Sequence, residues 1–266
     1  MKNTLNMAII KQAIAALLIL SVAMFSFQCA SNKPDIGNFD GKENYEKGLK
    51  LLEKKRYLRA QEELNQAVIS GAHTEWGDTA AFYLAEAYYL NKEYLLAISE
   101  YERMIRRMPF TTFMERARYR ICECYQAESP VYYHDQTYTL KAIDEIQEFL
   151  DDFPDSEFRA DALTMNRQLR EKLGRKAYET GILYLKMDEP EPAQMAFQEV
   201  VDNYYDTKYN ELAHLEIVHS FCISNDVDSA QAYLEEESSV FKSEAIRNKA
   251  EDYIADTKKT IQKRVK

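Results

Sequence analysis

The sequence predicts an all-α protein, a right-handed superhelical array of about five tetratricopeptide-like helix pairs. Three observations carry this. An apolar helix with the same ending occurs twice, at residues 142–156 and 193–207. Counted from Ala142 or Ala193, apolar residues fall four, seven and eleven places on (Ile146, Phe149 and Phe153; Phe197, Val200 and Tyr204), which is one face of a helix. The 266 residues include only 7 Gly and 6 Pro, too few breakers for a many-turned β-protein. A helix that repeats its own sequence can bury its apolar face only against its neighbours, so the unit implies a stacked array.

The N-terminus reads as an address. Lys2 and Lys11 precede an uncharged stretch whose apolar part, residues 13–27, has the length of a signal-peptide core and is short for a membrane span. It closes at Cys29, which resembles the acylated first residue of a bacterial lipoprotein, although Ser26 and Gln28 stand where that family's cleavage box prefers Leu and a small residue. In lipoproteins an Ala after the Cys, here Ala30, implies an outer-membrane destination. The expected organisation is a signal peptide at 1–28, a lipidated Cys29 with a polar tether at 29–42, repeats one to three at 43–155, a long helix with repeats four and five at 156–240, and a C-terminal helix at 241–266. Pro34, Gly37 and Gly41 are expected to keep the tether from forming helix.

The 34-residue tetratricopeptide pattern wants small residues where the paired helices approach and large apolar ones in the gaps. Repeat one offers Gly48, Leu51, Ala60 and Leu64; repeat two offers Ala85, Tyr88, Ala97, Tyr101 and Pro109. Repeat three has Cys122 and Tyr125, then an eight-residue insertion before Ala142, Ile146 and Pro154. Repeat four has Gly181, Tyr184, Ala193 and Phe197; repeat five has Val218, Phe221, Ala230 and Leu234. Residues 156–186 read as one long helix capped by Ser156, and Asp188 to Pro192 as the cap and first turn of the next. A last helix ends in Lys258, Lys259, Lys263, Arg264 and Lys266, cations suited to a helix C-terminus.

Composition excludes several functions. A formal charge of −10 argues against sequence-blind nucleic-acid binding. Cys122 and Cys124 lie two apart on a helix, on different faces, and neither a Cys-x-x-Cys motif nor a Cys/His grid is present, so no metal is expected. His73, His134, His214 and His219 have no partner motif, and no phosphate loop or nucleophile motif occurs, so neither a cofactor nor catalysis is expected.

The order of features is more specific than the repeats. A lipoprotein Cys is followed by Tyr45-Glu-Lys-Gly48, then Arg116-Ala-Arg-Tyr119, the insertion with Asp135-Gln-Thr137, and Phe153-Pro-Asp-Ser-Glu-Phe-Arg-Ala-Asp-Ala162. Over roughly residues 43–235 this resembles the BamD family of outer-membrane protein assembly factors. The resemblance implies a lipid-anchored scaffold at the periplasmic face of the outer membrane. Its first repeats would bind unfolded outer-membrane proteins, and its later repeats would bind the periplasmic domains of a BamA-like barrel subunit. Two departures fall in repeat four: Ala177 where the family commonly has Glu, and Ala196 where it commonly has Arg. The alternative is a lipidated tetratricopeptide adaptor for another periplasmic complex, such as a cell-wall enzyme.

In such arrays the concave face is lined by the first helix of each pair. Its fifth position is aromatic in four repeats (Tyr45, Phe82, Tyr119 and Tyr178), and the first three, with Arg118 and Glu86, form the candidate peptide groove. Asp188, Glu189, Gln194 and Gln198 form the candidate subunit contact.

Overall fold

Each helix pair closes because a small residue on one helix faces a large one on the other. A Cβ at Gly48 would stand 2.6 Å from Leu64 Cγ, and one at Gly181 would stand 2.5 Å from the Phe197 ring, so only glycine admits those side chains. The equivalent alanines Ala60, Ala97, Ala142, Ala193 and Ala230 are fully buried. So are Leu64, Tyr101, Ile146 and Phe197, one turn further along the first four of these helices.

The computed structural model describes residues 41–71 and 74–265, so Cys29, His73 and the leader fall outside the described residues. Among these residues are eleven α-helices: α1 (Gly41–Glu53), α2 (Tyr57–Ser70), α3 (Glu75–Leu90), α4 (Tyr94–Arg107), α5 (Met114–Glu128), α6 (Thr137–Asp152), α7 (Arg159–Lys186), α8 (Pro190–Asn203), α9 (Tyr209–Ile223), α10 (Val227–Glu236) and α11 (Glu244–Val265). No strand occurs among the described residues. Consecutive helices from α1 to α10 pack as five pairs, each also touching the next, and α11 closes the array on α9 and α10 through Ala250 and Ile254, with Phe241 from the segment before it. Helix α7 has 28 residues, about 42 Å at 1.5 Å per residue, and serves two repeats. It packs on α5 and α6 as well as on α8 and α9. No helix of the described residues is long and apolar enough to cross a membrane.

The turn inside a pair is built the same way four times. Lys55, Lys92, Asp188 and Asn225 have left-handed backbones, φ 56°, 64°, 63° and 59°. After each, an N–H reaches back to the carbonyl of the large residue near the helix end: Arg56 to Leu51, Glu93 to Tyr88, Glu189 to Tyr184 and Asp226 to Phe221. This is the six-to-one hydrogen bond of a Schellman ending, which satisfies carbonyls that the helix leaves bare. Repeat three breaks the pattern with its insertion.

Three local expectations are corrected. Gly41 and Lys42 belong to α1 and not to the tether, because Gly41 sits against Trp76, where a Cβ would clash at 2.5 Å. Helix α7 starts at Arg159, since Ser156 is spent on the turn before it: its Oγ accepts from Phe158 N at 3.0 Å and its carbonyl from Arg159 N at 3.2 Å. Asp188 caps nothing; it is the left-handed residue, and Pro190 opens α8.

Cys122 and Cys124 are free, buried and in separate core clusters, as their spacing requires. Burial pushes the Cys122 thiol up to about 12, so it is an inert packing group.

Candidate functional site

The aromatic row proves to be the adhesive between repeats. Phe82 is 1% exposed and stacks on Phe113, with ring centroids 4.5 Å apart at 15°. Tyr119 stacks on Phe158 at 4.4 Å and 12°, and Tyr178 leans on Tyr209 at 5.6 Å. In each case the second ring comes from the turn or first helical turn of the next repeat, so the fifth position of one repeat grips the entry to the next. The expectation that Phe82 and Tyr119 line an open groove is therefore corrected. Tyr45, half-buried against Tyr83 at 6.4 Å, is the most open of the three.

Arg118 is corrected as well. It turns onto α6, where Glu148 (2.9 Å), Asp152 (3.3 Å) and Glu145 (3.6 Å) hold it. Glu86 is buried and structural. Its carboxylate accepts from the Tyr101 hydroxyl and from Arg120 Nε at 2.8 Å. Burial and the adjacent Glu86 carboxylate push the Tyr101 phenol far above its ordinary value. Burial alone would lower the Arg120 guanidinium, but Glu86 and Glu123 (2.6 Å) outweigh it and keep it above its ordinary range. The guanidinium also lies 4.5 Å above the Tyr89 ring, locking α3 to α5.

Beyond this lock lies an open cleft of about 400 Å³ lined by Tyr89, Glu123, Gln126, Ala127, Gln168, Leu169 and Lys172. Its walls come from three repeats: Tyr89 from α3, Glu123 to Ala127 from α5, and Gln168 to Lys172 from α7. Gln126 Nε2 donates to Gln168 Oε1 at 3.2 Å, leaving each carboxamide further donor or acceptor capacity. A carboxamide can pair with both a peptide N–H and its C=O, so the cleft suits an extended main chain. Burial lowers the Lys172 ammonium, which donates to Ser129 Oγ at 2.6 Å. Sequence reasoning missed this cleft because Gln126 and Gln168 lie 42 residues apart and follow no repeat position.

The insertion is a folded brace. Gln136, 6% exposed, donates to the carbonyls of Val131 (2.9 Å), His134 (3.0 Å) and Tyr132 (3.3 Å) and accepts from Thr139 Oγ1 (2.7 Å). Asp135 accepts from Thr137 N at 3.0 Å, so the Asp-Gln-Thr motif is a turn clamp. Lys176 donates to the His134 carbonyl at 2.8 Å and Arg175 lies 4.1 Å over Tyr132, fixing the insertion to α7.

In repeat four, Asp188, Glu189 and Gln198 are exposed and Gln194 is half-buried. Around them stand apolar side chains that the sequence reading did not single out: Leu183, Met187 and Met195, 56%, 61% and 76% exposed. Ala177 and Ala196 are both buried. His214 meets the Tyr233 hydroxyl at 2.8 Å and His219 meets Glu216 at 2.8 Å. The described residues hold no cluster fit for a metal ion.

The model of an outer membrane lipoprotein family, YfiO, matches residues 38–237. An outer membrane protein assembly factor BamD from Rickettsia prowazekii is 26% identical over 189 residues, 71% of this chain and 75% of that one. The BamD of Caulobacter vibrioides is 22% identical over 177 residues, 66% of this chain and 58% of its own length. Among solved structures, the TPR2AB domain of yeast Sti1 in its pHSP90 complex aligns over 84% of both chains at 15% identity, with a TM-score of 0.42.

Proposed function

The chain belongs to the YfiO family of outer membrane lipoproteins, and from that premise we propose that it is a BamD-like assembly factor for outer-membrane proteins, acting by binding and not by catalysis. The observation that carries the proposal is the extent of the family match, which takes in every helix of the array from α1 to α10. In this reading Cys29 carries the lipid and holds the array at the periplasmic face of the outer membrane. Extended segments of unfolded outer-membrane proteins lie in the cleft of Tyr89, Gln126, Gln168 and Lys172. The barrel subunit docks at Asp188, Glu189, Gln194 and Gln198, with Leu183, Met187 and Met195 supplying the apolar area that polar groups alone do not.

Affinity purification from detergent-solubilised envelopes tests the function; it should recover a large outer-membrane barrel subunit, and its absence would overturn the reading. Mass spectrometry of the mature N-terminus tests the anchor, which an unmodified Cys29 or an intact leader would refute. For the cleft, Gln126→Ala with Gln168→Ala removes two paired carboxamides at about 1 kcal/mol each, so peptide affinity should fall roughly 30-fold with the melting temperature held.

A further inference from the structure

The left-handed turns share one backbone but not one charge. In repeats one and two they carry cations beside exposed leucines. Lys54, Lys55, Arg56 and Arg59 surround Leu58, which is 62% exposed; Lys92 stands between Leu90 (41%) and Leu95 (45%). None of these five cations has an ion-pair partner among the described residues. The two tips are one surface, because Lys55, Arg56, Tyr57, Leu58 and Arg59 line a single cleft of about 440 Å³ with Asn91. Glu93, the acid of the second tip, is occupied by Gln61 Nε2 at 2.5 Å and Asn91 Nδ2 at 2.8 Å, which tie the tips together. In repeats four and five the same turns carry Asp188, Glu189 and Glu191, then Asp226 and Asp228.

We infer that the tips of repeats one and two are a membrane-contacting surface that seats on anionic lipid headgroups. Unpaired cations on a chain of net charge −10 form a local site of opposite sign, and anionic headgroups are its complement. The leucines make lipid a better fit than an acidic protein, since exposed apolar side chains flanked by Lys and Arg are the composition of interfacial segments. Tyr57 and Tyr94 open α2 and α4 beside those leucines, amphipathic rings of the kind found at headgroup depth. The acidic tips of repeats four and five are repelled by the same surface, so the array touches the membrane through its first half and leaves the second half to its partners. The inference deepens the reading of the chain as a membrane-anchored factor.

The test uses residues 30–266, which contain the whole compact unit Gly41–Lys266 but lack Cys29, so its outcome is independent of acylation. This protein should co-sediment with vesicles of phosphatidylethanolamine and phosphatidylglycerol, release in high salt, and ignore vesicles of phosphatidylcholine. At about fivefold per cation, Lys54→Gln with Arg56→Gln and Arg59→Gln should weaken binding roughly 100-fold. Leu58→Asn should weaken it about tenfold, with circular dichroism and melting unchanged in both variants. Equal binding to phosphatidylcholine, or full binding by the triple variant, would overturn the inference. So would a triple variant that keeps its vesicle affinity and loses the barrel subunit, which would assign the tips to a protein partner. An unmodified Cys29 in the mature chain would sink the anchor and leave the vesicle result standing.

Discussion

Repeats one and two and repeats four and five are built from the same parts and present opposite surfaces. Both halves bury a small residue against a large one, with Gly48 under Leu64 and Gly181 under Phe197. Both end the first helix of a pair in a left-handed residue. At those turns the first half offers lysine, arginine and leucine, and the second offers aspartate, glutamate and methionine. Repeat packing constrains what points inward and leaves the turns free to differ in charge between the two halves. The largest effects of mutation should therefore come from the shared interior, and the smallest from the turn backbones.

The heaviest test of the shared interior is Phe82→Ala. The ring is buried between Phe113, Tyr101 and Tyr83, and its loss should cost about 3–5 kcal/mol. Chemical denaturation should show this, and both substrate and subunit binding should fall with the folded fraction. A folded Phe82→Ala protein that loses only peptide binding would restore the ring to a groove. In the second half Phe197, the counterpart of Tyr101, is equally buried, and Phe197→Ala should lower stability alike.

Repeat three sharpens the comparison because it replaces the left-handed turn with a brace. Gln136→Ala takes the side-chain donor from the Tyr132 carbonyl and leaves the Val131 carbonyl to His134 N, the His134 carbonyl to Lys176 and the Thr139 hydroxyl to Ser129. The cost should be about 1–3 kcal/mol, with hydrogen exchange rising in residues 129–139. Exchange unchanged there would mean that the stacking of Arg175 on Tyr132 holds the insertion by itself.

How far the sequence could be read follows from the same contrast. The fold was legible because close approach demands small residues at fixed intervals, and all five predicted alanines are buried. The groove was not. An aromatic at the fifth position serves a stack as well as it would serve a ligand, and only Phe113 and Phe158, outside the repeat pattern, distinguish the two. The cleft and the Leu183, Met187 and Met195 surface were hidden for another reason: exposed positions answer to partners and carry no internal period.

A smaller effect is confined to the second half. Burial holds the His214 imidazole below its ordinary value, partly opposed by Glu237, so the folded state favours the neutral ring bonded to Tyr233. Between that lowered value and the ordinary one near 6.5, the unfolded chain binds more protons. This contribution to stability is complete above about pH 6.5 and is lost as the pH falls below it. Acid should therefore raise hydrogen exchange in α9 and α10 more than in α3 and α4, and His214→Asn should remove the difference. Equal loosening of both halves in acid would place the sensitive groups elsewhere.

The smallest effect bears most directly on the comparison. A non-glycine residue in the left-handed region costs roughly 1–2 kcal/mol, and glycine returns about 0.5–1 kcal/mol of that as unfolded-state entropy. Lys55→Gly, Lys92→Gly and Asp188→Gly should therefore each stabilise the protein by about 0.5–1 kcal/mol, although they remove charges of opposite sign. Asn225→Gly should gain less, since asparagine already tolerates this backbone. Vesicle binding should weaken only for the two lysine variants. If Asp188→Gly gained nothing where Lys55→Gly did, the strain would differ between the two turns, and the halves would differ in backbone as well as in charge.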